Sequence, residues 1–217
     1  AYEFLKKTAG EGKPVLFVGT KRQAAPLMRE AATACGAYHI THRWLGGMLT
    51  NFKTIALSID KLRKVEKMKE TGDFDLLTKK ERSRIEKEVA KLGRNLGGIK
   101  DMRKVPGAIF IIDPNNERIA IKEANTLGIP VVAVTDTNCD PTGVDYVVPG
   151  NDDAIKSIQT FTEYFMNSIN EGNSIAVSKG KKDKDDVESR DVDLEKEILS
   201  KFEKDIDLKE DDEDGEV

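Results

Sequence analysis

Two kinds of hydrophobic pattern alternate along the chain. Val15 to Thr20, Ala108 to Asp113 and Val131 to Asp136 are largely continuous apolar, β-prone runs, and the segments between them carry apolar residues at helical spacing. Continuous runs of this kind predict strands buried on both faces, and spacings of three and four predict helices with one apolar stripe. Tyr38 to Thr41 and Tyr146 to Val148 are two shorter predicted strands; Lys21 to Cys35, Asn116 to Leu127 and Asp152 to Asn170 are predicted helices. Gly36 and Gly128 stop the first two helices. Asn151 is placed to cap the third, with Asp152 and Asp153 favourable against its dipole. Thr20 and Gln23 have the form of a capping box, although Pro26 disturbs a helix begun that early.

A β-α-β-α alternation implies parallel strands joined by right-handed crossovers, with helices on both faces of the sheet. The expected fold is therefore an α/β, doubly wound parallel sheet, with Ala1 to Ala9 a further helix. One stretch breaks the alternation. Phe52 to Lys69 and Lys79 to Leu96 are charge-rich helical patterns with apolar stripes at Ile55, Ile59, Leu62, Val65 and at Ile85, Val89, Leu92, Leu96. Gly72 can end the first, and Thr78 with Glu81 forms a capping box for the second, so the two are expected as an antiparallel coiled-coil hairpin. Leu45-Gly46-Gly47 precedes the pair and Leu96-Gly97-Gly98 follows it, so Gly46, Gly47, Gly97 and Gly98 are read as a hinge-like joint.

The expected organisation is a discontinuous α/β domain over 1–44 and 99–172, a helical insertion over 45–98, and an acidic tail over 173–217. The tail is too charged to bury a core and is expected to be disordered, with a short helix around Leu194 to Phe202.

Charge sharpens this picture. The 217 residues carry a formal charge of -4, but from Lys179 onward there are 9 basic and 17 acidic residues, so the rest of the chain is positive. His42 to Lys104 alone holds 17 basic and 9 acidic residues. No apolar run approaches the roughly 20 residues that span a bilayer, and no signal peptide is evident, which predicts a soluble protein kept in the cytoplasm and away from membranes. Cys35 and Cys139 lack zinc-finger or redox spacing, in keeping with a reducing compartment.

Several constellations invite chemistry. Gly19-Thr20-Lys21-Arg22, at a strand-to-helix turn, has the amides and cations to hold a phosphate, but neither the dinucleotide glycine pattern nor a P-loop is present, so no cofactor is expected. Asp113, Asp136, Asp152 and Asp153 fall at or just after strand ends, where open α/β sheets bind ligands. As turn and helix-start residues they need no metal, and none is expected. His39 and His42 have no partner that spacing identifies, so no catalytic site and no enzyme activity are expected.

The inserted helices are more informative, because their lysines and arginines suit a phosphate backbone. The alternative is a solvated face whose glutamates pair with neighbouring lysines. Arg43 and Trp44 sit at the joint beside Asn51 and Lys53, offering guanidinium, aromatic and amide groups of the kind that contact RNA, although Trp44 is equally suited to plug the base of the helices into the core.

The run Arg43-Trp44-Leu45-Gly46-Gly47-Met48-Leu49-Thr50-Asn51-Phe52 resembles the hallmark segment of the bacterial small-subunit ribosomal protein S-two family. Phe17 to Arg22, Leu96 to Met102, Ile119 to Asn125, Asp136-Thr137-Asn138 and Val144 to Ile155 resemble its other signatures in order, over roughly Lys13 to Gly172. The resemblance implies a Rossmann-like (flavodoxin-like) domain with a protruding coiled-coil hairpin, a structural part of the small ribosomal subunit in translation. It implies small-subunit ribosomal RNA and other ribosomal proteins, including the large messenger-binding one, as partners. Family members normally continue upstream of Ala1 with a segment bearing histidines, whose contacts this sequence does not contain.

The expected RNA-binding set is Lys21, Arg22, Arg43, Trp44, Asn51, Lys53, Lys61, Arg63, Lys64, Arg94 and Lys100, and Asp136, Asp152 and Asp153 are an expected partner-protein surface. A small α/β enzyme using the strand-end crevice, or a coiled-coil adaptor that meets only protein, are the competing readings.

Overall fold

The computed structural model describes residues 1–178; the acidic stretch beyond, with the short helix expected at Leu194 to Phe202, lies outside the described residues. The chain forms two units, Ala1–Asn173 and Ser174–Val217. The first unit contains α1 (Tyr2–Gly10), β1 (Val15–Val18), α2 (Ala24–Cys35), β2 (Tyr38–Ile40), α3 (Phe52–Thr71), α4 (Lys79–Leu96), β3 (Ala108–Ile112), α5 (Arg118–Thr126), β4 (Val131–Thr135) and β5 (Tyr146–Pro149). A last helix, α6, occupies 155–173 of this unit. Of the second unit, residues 174–178 are described and are helical.

All five strands are parallel, in the order β2-β1-β3-β4-β5. This is the doubly wound, flavodoxin-like order, in which the chain reverses its direction of growth between β1 and β3. Strand side chains alternate in direction, and the core divides accordingly. Leu16, Val18, Ile109, Ile111, Val131 and Ala133 face one layer, with Ile121 of α5. Val15, Phe17, Phe110, Ile112, Val132 and Val134 face the other, with Leu5 of α1, Met28 of α2 and Phe165 of α6. The central strands β1, β3 and β4 are buried throughout, as continuous apolar runs require, whereas edge strand β5 is largely exposed.

The helix inserted after β1 begins later than expected. Gln23 precedes α2, and Pro26 lies in its first turn, where the missing N–H costs no hydrogen bond. Thr20 makes no capping box there; its amide and hydroxyl both donate to Glu117. The capping box of α4 is present, with Glu81 N–H donating to Thr78 Oγ1 and the Glu81 carboxylate accepting from Thr78 N–H.

α3 ends at Gly72, whose φ of 82° is a left-handed value that suits glycine. A short turn at Asp73–Leu76 returns the chain to α4, and Lys61 of α3 pairs with Glu88 of α4. The stripe Ile55, Ile59, Leu62 and Val65 is buried, while in α4 only Leu96 is fully buried and Ile85, Val89 and Leu92 are half-buried. Ile55, Ile59, Leu96 and Ile99 join the core layer over Leu16 and Ile109. The root of the inserted pair thus completes the cover of one sheet face, and only the far half of the pair lacks this support.

Candidate nucleic-acid interface

Two glutamates, Glu123 on α5 and Glu117 at its N-cap, organise the surroundings of the inserted helices. Glu123 is buried and accepts hydrogen bonds from Trp44 Nε1 (3.0 Å), Gly47 N (2.7 Å), Leu49 N (2.9 Å), Thr50 N (3.0 Å) and Thr50 Oγ1 (3.1 Å). Burial disfavours its charge, but the donors from Thr50, Trp44, Leu49 and Gly47 outweigh that cost and hold its carboxyl below the usual range. Trp44 is 6 % exposed, so its indole lies in the core and anchors the loop to Glu123; stacking on a base is not open to it in this arrangement.

Six residues earlier, Glu117 holds Thr20 through donors at 2.8 and 2.6 Å. Here burial dominates and raises the carboxyl above its usual range, opposed by the Thr20 hydrogen bonds. One short helix together with its N-cap residue therefore grips both the turn after β1 and the loop that leads into α3.

The crevice at the β1/β3 reversal is filled by the protein's own charges. Lys21 Nζ lies 2.5 Å from Asp153, 3.0 Å from Asp152 and 3.4 Å from Asp113. Burial alone would lower the lysine pKa, but Asp153, Asp152 and Asp113 raise it well above its ordinary value. Asp113 adopts a left-handed φ of 65°, tolerated by a short polar side chain that hydrogen-bonds locally, here to Asn116 N. Asp113, Cys139 and Asp152 each bring a possible ligand atom within 4.8 Å of the others. Lys21 already neutralises both carboxylates, and burial pushes the Cys139 thiol up, so the donor set suits an internal ammonium better than a metal. This arrangement removes Lys21 from the cations free to meet RNA. It also takes Asp152, 2 % exposed, out of any partner surface. Asp153 remains exposed beside it, and Asp136 is half-exposed, its carboxylate held ionised by Thr137 N–H.

The other expected RNA-binding residues fall into two groups. Lys61 pairs with Glu88, Arg63 with Asp101 and Asp60, and Lys100 with Glu66. Arg22, Arg43, Lys53, Lys64 and Arg94 are exposed, and their side chains make no ion pair or hydrogen bond to another described residue. Asn51 is exposed and its side chain accepts from Thr54 Oγ1. On the far half of the pair, Lys67, Lys79, Lys80 and Lys87 are also exposed without a described partner, so self-pairing leaves a surplus of free cations.

The joint glycines differ from one another. Gly47 has a left-handed φ of 81°. Gly98 packs so closely on β2 that a Cβ would overlap the His39 carbonyl oxygen and imidazole, whereas Gly46 and Gly97 face open space. The approach at Gly98 creates a feature that sequence spacing does not show: a cleft of about 600 Å³ in which Arg29, His39, Thr41 and His42 meet Arg94 and Asn95. Arg94 was expected at the interface; Arg29, His39, Thr41 and His42 were not, because they lie more than fifty positions from it, and neither was its neighbour Asn95.

A model of the family described as Ribosomal protein S2 matches residues 1–172. The chain belongs to the ribosomal protein S2 family. It is 53 % identical over 171 residues to small ribosomal subunit protein uS2 of Treponema pallidum, covering 79 % of this chain and 59 % of that protein. It is 54 % identical over 172 residues to uS2 of Acidobacterium capsulatum, covering 79 % and 57 %. The chain thus spans less than two thirds of these relatives. Ribosomal protein S2 is a structural family of the small ribosomal subunit and not a family of enzymes. No helix among the described residues of this S2-family chain is long and apolar enough to cross a membrane.

Proposed function

We propose that this chain is a structural constituent of the small ribosomal subunit, working in the cytoplasm, that binds ribosomal RNA through the cations of α3 and α4 and their root. The observation that carries the reading is the surplus of exposed, unpaired lysines and arginines there, including Lys53, Lys64, Lys67, Lys87, Arg94 and Arg43. An ion-paired solvated face would leave no such surplus, and a polyanion is the partner that a net positive surface attracts. Lys61, Arg63 and Lys100 contribute to the shape of the arm through their carboxylate partners, and Lys21 and Trp44 act inside the protein.

Asp136 and Asp153 are the accessible part of the acidic surface at the sheet mouth, and we assign them to contact with neighbouring ribosomal proteins, the large messenger-binding one among them. Co-sedimentation with small subunits depleted of this protein, over a series of KCl concentrations, tests the RNA reading. Replacing Lys53, Lys64, Lys67 and Lys87 together by Gln should weaken association and flatten its salt dependence by about one logarithmic unit per lost phosphate contact. Association unchanged at every salt concentration would refute it, and association lost equally at all of them would assign the arm to a protein partner.

A further inference from the structure

We infer that the cleft between α2, β2 and the end of α4 is a seat for the RNA backbone, holding a phosphodiester group between Arg29 and Arg94. The inference rests on the RNA-binding reading above and gives it a concave site distinct from the diffuse charge of the arm.

The polar lining is one-sided. Arg29, His39, Thr41, His42, Arg94 and Asn95 all present hydrogen-bond donors, and no carboxylate lines the cleft. Arg94 has no described partner, and Arg29 makes one long hydrogen bond, 3.4 Å to Thr41 Oγ1, so the guanidinium groups keep most of their donors. Guanidinium groups on different helices suit an anion that presents several oxygens at once. His39 is half-buried, and burial together with the nearby Arg29 charge lowers its pKa, so it supplies a neutral imidazole to the floor.

The volume discriminates among anions. About 600 Å³ is far more than one phosphate ion fills, but it accommodates a sugar-phosphate unit with its flanking groups. The carboxyl end of α4 carries a partial negative charge that repels an anion, so the phosphate is held by side chains and not by the helix. Gly98 is what makes the cleft possible, since any side chain there would push the end of α4 off His39.

The decisive experiment compares the full chain with Arg29→Gln/Arg94→Gln and with a charge-matched control, Lys122→Gln/Lys156→Gln, in co-sedimentation with depleted small subunits across KCl concentrations. The cleft variant should bind more weakly at low salt and lose about one from the slope of log affinity against log salt, while the control keeps the wild-type slope. Arg29→Lys, which retains the charge and loses the fork of donors, should weaken binding with the slope intact. A cleft variant that melts like the wild type and binds with the wild-type slope and affinity overturns the inference and leaves the broader reading standing. A loss of binding independent of salt overturns it in favour of a protein occupant. Failure of the wild-type chain to sediment with depleted subunits refutes the RNA reading and this site with it.

Discussion

The sheet and the arm inserted into it depend on different kinds of residue. In β1, β3 and β4 every side chain is buried, so each position is constrained by packing on one face or the other. In α3 a single stripe is buried, in α4 only Leu96 is, and most of the remaining positions are exposed, many of them lysine or arginine without a partner among the described residues. Residues of the first kind are explained by stability. Those of the second kind contribute little to folding, so their excess of positive charge points to something outside the molecule.

That contrast can be broken at both ends. The largest effect should come from Phe110→Ala in β3, where a fully buried ring packs edge-on to Phe17 and against Phe165; a loss of about 3–5 kcal/mol in urea unfolding is expected. A loss below about 1 kcal/mol would mean that the sheet core is less tightly packed than it looks.

Next comes Glu123→Ala, which leaves three backbone amides and the Trp44 indole without their acceptor and should cost about 3 kcal/mol. The pH dependence sharpens this. The folded-state pKa of Glu123 is depressed, so its contribution is complete above the unfolded value of about 4.3 and fades as pH falls through the folded value. Acid unfolding of Glu123→Gln should therefore be less steep than that of the wild type below about pH 4.3, and identical acid limbs would show that the carboxylate charge is not what holds the loop.

The smallest effect should come from Lys64→Gln and Lys87→Gln. Each should change the unfolding free energy by no more than about 0.5 kcal/mol. A destabilisation of about 2 kcal/mol would place these lysines among the residues that maintain the fold.

The same contrast explains what the sequence made legible. The strands were readable because a run such as Ala-Ile-Phe-Ile-Ile has no polar position to offer water, and Gly72 and the Thr78/Glu81 pair marked the ends of the inserted helices through local chemistry. Partnerships across the chain were not readable. Glu117, at the N-cap of α5, and Glu123 within it look like ordinary surface residues, and only the return of Thr20 and of Trp44 to Thr50, 73 to 97 positions away, buries them. Lys21 resembled a free cation at a phosphate-binding turn for the same reason, since the three carboxylates that surround it arrive from two distant loops. Arg29 and the two histidines came to line one cleft only when Gly98 brought the end of α4 against β2.

The placement of one gripping glutamate at the N-cap of a nine-residue helix and the other within it has a mechanical result. The mouth of the sheet and the foot of the arm hang from one crossbar, so a pull on the arm is shared with the Thr20 turn before either loop can give way. Load taken up at the tip would be spread into the body of the protein, and α5 is the part that carries it.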